Sequence, residues 1–450
     1  MATNAPTQPA QTKPLPPALF AGVDAVAPNP LMRFLQPRPG FAESGSIPAG
    51  DPGGQATSKV NWIQADNPSQ PSYLAMIDLT ISLPVTVTLG YSGVANSNSV
   101  QVSPFAPYSA FRLKPKVSTA STWSDNVPLV VPWLKAVCSK LGWDPSLDLV
   151  NAGIPTAQFY PGPSPSSTPA ALAPGTVLSN ASTAANQVTN GTFVLNVPVR
   201  FLQRPDQMWG AMLMGDPNRP FSFDLALTAL LGGTQPDRNL FVNSTGAGNS
   251  VVVGAGGVQV TAVYHTLQPL SVPFEPGSTT PVALPPAVVR FAAGIADDSI
   301  TGPLNANSEI LIKHQAEGVY TQLWDIPVAN GAPVPPAEIA WFQFQGEGGT
   351  LYNFNAADSS LQSWYNSQGK RLNRQLPEGV VWHDFWGGEL PAVPGESGFN
   401  GLKTAQLEYG AMFGVPATPN QRSVTMFAAG TAMANSYVSS YGEYLQAVNY

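Results

Sequence analysis

The sequence predicts an all-β protein organised as two consecutive β-units, and three observations carry that prediction. Charged residues make up 10% of the 450 positions and hydrophobic residues 43%. An ordinary soluble domain carries about 25% charge, so Ser, Thr, Asn, Gln and backbone must cover most of this surface. Pro (47) and Gly (41) punctuate the whole chain, yet together they stay below the roughly 25–30% of a disordered composition, and 20 Phe with 10 Trp supply material for a core. Between these breaks run segments of apolar/polar alternation, the period of half-buried strands. A length of 450 residues exceeds one ordinary domain.

Residues 1–55 are Pro-rich and aperiodic and read as an extended N-terminal arm, with PPALFAGVDAV and NPLMRFLQP as apolar anchors. Strand signals begin near residue 72. Ile77, Leu79, Ile81, Leu83, Val85, Val87 and Leu89 alternate with Asp78, Thr80, Ser82, Pro84, Thr86 and Thr88, so one face is buried throughout. Pro84 lies inside this run and demands an edge, a bulge or a bend. VPWLKAVCSKLGWDP (131–145) changes the period: Pro132 suits a first helical position, Leu134, Val137 and Leu141 share a face, and Gly142 suits a cap. Residues 151–190 read as a Pro/Ser/Ala/Thr-rich loop, and 232–256 as a second long loop. TFVLNVPVRF, PFSFDLALTAL and VQVTAVYH then alternate as half-buried strands.

The Pro-dense residues 269–288 read as a linker. Strand signals resume at SEILIKH, VYTQLWDIP and AWFQFQG, followed by a helical candidate, SSLQSWYNSQGKRLN, and by LPEGVVWHDF, LKTAQLEYGAMFG and SVTMFAAGTAMA. The organisation is therefore an arm (1–55), a first unit (56–268), a linker (269–288), a second unit (289–435) and a C-terminal tail (436–450). The halves match in kind, although no repeat is visible at the level of residues.

The composition excludes several function classes. A net charge of −7, a pI near 5.0 and the absence of a basic run are not the footprint of a nucleic-acid binder; the first 50 residues hold only Lys13, Arg33 and Arg38. One cysteine, Cys138, allows neither an internal disulfide nor a Cys-based zinc site, and it reads as a small buried thiol. The N-terminus lacks the basic start and apolar run of a signal peptide, and no window reaches 18 apolar residues. The sequons at Asn180, Asn190 and Asn243 read as chance in a chain this rich in Ser, Thr and Asn.

The densest chemistry is LPEGVVWHDFWGGE (376–389), with His383 beside Asp384. Period-2 geometry puts Val380, Trp382 and Asp384 on one face and Val381, His383 and Phe385 on the other, so His383 and Asp384 are not an orienting pair. His265, His314 and His383 lack metal-ligand spacing. GYSG (90–93) and GESG (395–398) lack the spacing of a nucleophile elbow, and TGAGNS and VGAGG precede a strand rather than a helix, so they read as turns rather than phosphate loops. Asp297–Asp298 lacks calcium-loop spacing. Trp341, Trp364, Trp382 and Trp386 read as core rather than as a sugar platform. No catalytic, cofactor-binding or metal-binding residues are assigned, no cofactor is expected, and the chain is not expected to be an enzyme.

The order of motifs resembles one family. NVPVRFLQRPDQMWGAMLMGDPNRPFSFDLAL, with Val197–Pro198–Val199, then Gly210–Ala211–Met212–Leu213, then the alternation from Phe221 to Leu227, is similar to the first jelly roll of the double jelly-roll major capsid proteins of tailless, internal-membrane-containing, tectivirus-like bacteriophages. LPEGVVWHDF, LKTAQLEYGAMFG and SVTMFAAGTAM look like late strands of the second roll. The resemblance spans roughly residues 56–435 at the level of pattern. It implies two eight-stranded jelly rolls with short helices in their loops. It also implies a homotrimeric, pseudo-hexagonal capsomer in an icosahedral coat, assembled in the host cytoplasm and localised to the virion. Trimer–trimer contacts, penton or vertex and minor capsid proteins, and the viral membrane (through the arm) would be its partners, with no sequence-specific nucleic-acid binding. The long loops at 151–190 and 232–256 would lie on the outer side. Two alternatives stand beside this reading: a two-jelly-roll carbohydrate-active or amidase-like enzyme or lectin, in which Asp384 or Glu378 would act, and a low-copy receptor-binding vertex spike.

Overall fold

A computed structural model describes residues 32–60 with short breaks, 72–117, 121–138 apart from 123–126, 158–161, 175–201, 212–214 and 221–269 apart from 234–237. In the second half it describes the strands between 291 and 355, residues 359–363 apart from 361, and 380–384, 423–428 and 436–447. In the first half the strands are β1 (Met32–Phe34), β2 (Arg38–Gly40), β3 (Ala42–Ser44), β4 (Gly54–Val60), β5 (Ser72–Leu89), β6 (Ser99–Val102), β7 (Phe111–Val117), β8 (Ser121–Thr122) and β9 (Val127–Pro128). After helix α1 (Val130–Cys138) come β10 (Gln158–Pro161), β11 (Val177–Ser179), β12 (Gln187–Arg200), β13 (Met212–Met214), β14 (Phe221–Leu227), β15 (Phe241–Thr245), β16 (Ser250–Val253) and β17 (Gln259–Pro269). The second half has β18 (Phe291–Asp297), β19 (Ile300–Thr301), β20 (Glu309–Lys313), β21 (Val319–Ala329), β22 (Ala332–Pro333), β23 (Ile339–Gly346), β24 (Gly349–Asn355), β25 (Val381–Asp384), β26 (Ser423–Ala428) and β27 (Ser436–Ala447).

The pairing in each half is nested. In the first, β2 pairs with β17, β4 with β14, β5 with β12 and β7 with β9, all antiparallel. Two lateral pairings, β5 with β17 and β7 with β14, gather these ribbons into two four-stranded layers, β2-β17-β5-β12 and β4-β14-β7-β9. The second half repeats every step: β18 with β27, β20 with β26, β21 with β25 and β23 with β24, joined laterally by β21 with β27 and β23 with β26. A ribbon folded on itself into two sheets is a jelly roll, so the chain is two jelly rolls of one topology, as the sequence predicted. The symmetry missing from the residues is complete in the strand order.

The first roll shows why the alternation works. Ile77, Leu79, Ile81, Leu83 and Val85 of β5 point inward and are buried, together with Phe111 and Leu113 of β7 and Phe223 and Leu225 of β14. The outward parity of β5 is half-buried or exposed at Asp78, Thr80, Ser82 and Thr86. Pro84 is accommodated by a break in its neighbour. Its carbonyl accepts a hydrogen bond from Gly254 N at 2.8 Å, so its missing N–H faces the same side, and there the adjoining strand is split into β16 and β17. A Cβ on Gly254 would lie 3.2 Å from the Pro84 backbone, which is why a residue without a side chain passes this point. α1 closes the side of the roll: Val130, Val131 and Leu134 are buried in the core and Trp133 stacks on Tyr108 at 4.6 Å.

Three expectations change. Residues 32–44 were placed in the arm, yet β1 and β2 pair with β17 and β3 with β4; the first strand of the roll is built from short segments between prolines, which lack a period of their own. Residues 436–450 were placed in a tail, yet β27 lies between β18 and β21 in the middle of its sheet. The 151–190 and 232–256 segments hold strands as well as loops. Within them, β11 and β15 flank β6 in a separate three-stranded sheet, β10 lines the edge of β12, and β16 pairs with β5. Of SSLQSWYNSQGKRLN, the described part is one helical turn at 359–363, closed by Ser363 N donating to Ser359 O at 3.0 Å. The linker beyond Pro269, His314, LKTAQLEYGAMFG and Gly395–Gly398 lie outside the described residues.

Candidate functional site: the seam between the rolls

The second roll turns one face of β18-β27-β21-β25 away from its own interior. Register fixes what that face carries. Asp297, Tyr441, Trp324 and Trp382 form one row across the four strands, and Ile295, Glu443 and Gln322 form the next. Trp324, Trp382 and Tyr441 are fully buried and belong to the same apolar cluster as the core of the first roll. The two indoles meet at 5.8 Å, tilted by 44°, a favourable aromatic arrangement.

The first roll answers with the outward parity of β7 and with α1. Arg112 of β7 is buried, and its Nη1 lies 2.9 Å from Asp297 Oδ2; Arg238 Nη2 donates to the same oxygen at 2.8 Å. The Arg112 guanidinium also sits 6.0 Å from the centre of the Tyr441 ring, within cation–π range. From α1, Lys135 Nζ donates to Glu443 Oε2 at 2.7 Å, and Trp324 Nε1 donates to Glu443 Oε1 at 3.1 Å. One carboxylate from the second roll thus takes two cations of the first, and another takes a cation and an indole. Opposite charges matched inside an aromatic seam fix the register of the two rolls, because each buried charge is compensated in this arrangement.

Among the described residues, those singled out in the sequence do not assemble a reaction centre. In β25, Trp382 lies on the seam face while Val381 faces the other way; the side chains of His383 and Asp384 lie outside the described residues. The turn-forming glycines of TGAGNS and VGAGG adopt positive φ at Gly246, Gly248, Gly256 and Gly257, and they serve strand connections. Gly90–Gly93 follows β5 and leads into β6 rather than a helix. Trp382 is 1% exposed and offers nothing to a sugar. Trp364 and Trp386 lie outside the described residues. Among the described residues no group of three or more His, Cys, Asp or Glu sits together as a metal site. Asn180 is buried, with its Nδ2 donating to Leu89 O, Gly90 O and Ala185 O, so that sequon is structural.

One histidine–carboxylate couple escaped the sequence reading. His265 Nε2 lies 2.6 Å from Asp78 Oδ2, joining β17 to β5. Among the described residues no reaction partner adjoins it on that face: Met76, Val263 and Pro198 are its cross-strand neighbours, and the nearby Thr80 hydroxyl donates to Asn196. The couple reads as a strand clamp. The seam residues also escaped, because Lys135 and Glu443 are 308 positions apart and nothing local marks them as partners. The one signal was that both faces of β21 and β25 carry large apolar side chains, with Trp324 and Trp382 opposite Leu323 and Val381.

No family model matches the chain, and no curated protein matches it. Solved structures do. The Faustovirus major capsid protein aligns over 92% of this chain and 90% of its own at 10% identity and a TM-score of 0.41. The PBCV-1 virus capsid aligns over 92% and 93% at 10% identity and a TM-score of 0.44. The major capsid protein P2 of bacteriophage PM2 aligns over 93% and 98% at 11% identity and a TM-score of 0.36.

Proposed function

We propose that this chain is the structural coat subunit of an icosahedral virion, working as a homotrimer whose six rolls give a pseudo-hexagonal capsomer. The observation that carries this reading is the duplicated topology. One chain holds two jelly rolls of the same strand order, held side by side by a buried seam. A closed ring of three such chains presents six equivalent rolls, which is the outline needed to tile a shell. A charge-poor surface without a basic arm suits a coat lying over an internal membrane rather than on nucleic acid. Penton, vertex and minor capsid proteins, and the membrane reached through residues 1–31, are its proposed partners, and it takes no part in catalysis. The chain assembles in the host cytoplasm and resides in the virion.

Copy number in purified particles, read from a stained gel, tests the role. Hundreds of copies per particle fit a coat. A dozen or so trimers would make the chain a vertex spike, and its absence from particles would remove the structural reading. An enzyme of the same fold predicts hydrolytic activity that disappears on Asp384→Asn or Glu378→Gln.

A further inference from the structure

One end of the first roll is built without charge. The segments 79–111, 175–199 and 239–264 hold no Asp, Glu, Lys, Arg or His, whereas a solvent-facing surface is usually about a quarter to a third charged. The three segments meet where β5 ends, and three asparagines, one from each, tie them together. Asn98 Nδ2 donates to Ala247 O at 2.6 Å, Asn180 Nδ2 donates to Gly90 O at 2.8 Å, and Asn249 Nδ2 donates to Ser99 O at 3.1 Å. Asn249 Oδ1 accepts from Gly90 N at 3.1 Å, and Asn180 O accepts from Asn96 N at 2.7 Å. The fit is close: a Cβ on Gly90 would lie 2.1 Å from Ala247 O, and one on Gly246 would lie 2.3 Å from Asn98 Oδ1.

This fixed base carries groups that the fold itself does not use. Tyr91 is 55% exposed and Val94 65%; with Val177 and Val188 of the adjoining β11 and β12 they are the exposed large apolar side chains among the described residues. Asn96 accepts from Ser179 Oγ through its Oδ1 at 3.0 Å, and its amide nitrogen has no partner among the described residues. Thr183 and Asn186 are exposed on the loop that Asn180 anchors by donating to Ala185 O at 2.9 Å. A tyrosine set among Ser, Gly and Asn is a composition suited to recognition, because the ring gives rigid contact area and its neighbours give hydrogen bonds. A neutral sugar matches these groups. Its C–H face can lie on the aromatic ring, its hydroxyls donate and accept as the amides and hydroxyls here do, and it needs no countercharge. A charged ligand would meet no opposite charge on this end. A protein interface centres on several aromatic and Arg anchors, and this end exposes one aromatic and no Arg among the described residues.

We infer that the Tyr91 end of the first roll is a binding site for a neutral glycan, with the Tyr91 ring against a sugar face and Asn96 donating to a sugar hydroxyl. The loops are already held by the three asparagines, so binding orders little of the protein, which preserves affinity. The site needs only one chain and one cluster of loops, and it is independent of the coat reading.

The test is binding of the full chain to beads carrying dextran, laminarin, mannan or galactan, beside beads carrying the anionic polysaccharide alginate. Binding to at least one neutral polysaccharide is expected, unchanged between about 0.05 and 0.5 M salt because no charge takes part. Tyr91→Ala is expected to weaken it roughly tenfold, and Tyr91→Phe, which keeps the ring, to retain it. Asn96→Asp keeps the acceptor for Ser179 and exchanges the amide donor for a charge, so it should weaken binding as well. Both positions are exposed, and the circular dichroism of each variant should be that of the wild type. No binding to any of the four neutral polysaccharides, the result a patch made for a protein partner would give, overturns the inference. So does binding to alginate alone that salt removes, or neutral binding that survives Tyr91→Ala. None of these outcomes bears on the coat reading, which copy number tests separately.

Discussion

The ion pair between Lys135 and Glu443 offers the sharpest probe of the seam. Lys135 is 16% exposed and Glu443 4%, with 2.7 Å between Nζ and Oε2. An exposed pair contributes about 0.2–1 kcal/mol, whereas removing one partner of a buried pair costs about 3–5 kcal/mol. The partly wetted lysine places this pair between those limits. Glu443→Gln keeps an acceptor for Trp324 Nε1 but removes the charge, and is expected to cost about 2 kcal/mol. Lys135→Met strands the more deeply buried carboxylate and is expected to cost about 3 kcal/mol. The double variant, with neither charge left, should also cost about 3 kcal/mol rather than the sum, which corresponds to a coupling of about 2 kcal/mol. Urea unfolding of the four proteins measures this, with an unchanged m-value as the check that the same surface is exposed. Additive losses, with coupling below about 0.5 kcal/mol, would refute the claim that this pair ties the rolls together.

Three further outcomes follow from the same structure. Trp324→Ala empties a fully buried site in the seam and is expected to cost about 3–5 kcal/mol in urea unfolding, with both rolls losing stability in one transition. Gly257→Ala puts a Cβ 2.5 Å from Ile47 O at a φ of +69°, so it should lower stability by about 1–3 kcal/mol, whereas Gly256→Ala has open space and pays only the strain of its φ. Burial raises the phenols of Tyr108 and Tyr264 well above the usual value of 10.0. The unfolded chain releases those protons first, so their stabilisation is complete below about pH 10 and is lost as the pH rises above it. Tyr108→Phe or Tyr264→Phe should therefore move the alkaline unfolding midpoint upward, as followed by circular dichroism.

What could be read from the sequence was set by how locally each feature is encoded. The alternation of β5 and β12 gave both strands and their buried faces, because a half-buried strand writes its orientation in a period of two. Pro84 announced an irregularity, and the irregularity lies in the neighbouring strand, which breaks into β16 and β17. β27 went unread because SYVSSYGEYLQA is buried on both faces, from Tyr437 to Tyr444. Ser439, Ser440 and Glu443 are tolerated inside by pairing rather than by an apolar pattern. β1, β2 and β3 are three residues each and exist only through partners elsewhere in the chain. The seam is legible only in three dimensions, since Arg112, Asp297, Lys135 and Glu443 acquire meaning from the way two rolls meet.

The central claim is that two rolls per chain become six around a three-fold axis. Negative-stain electron microscopy of the purified chain tests it most directly. Class averages with three-fold symmetry and a six-lobed, near-hexagonal outline are the predicted result. Two-lobed particles of single chains at every concentration would contradict it.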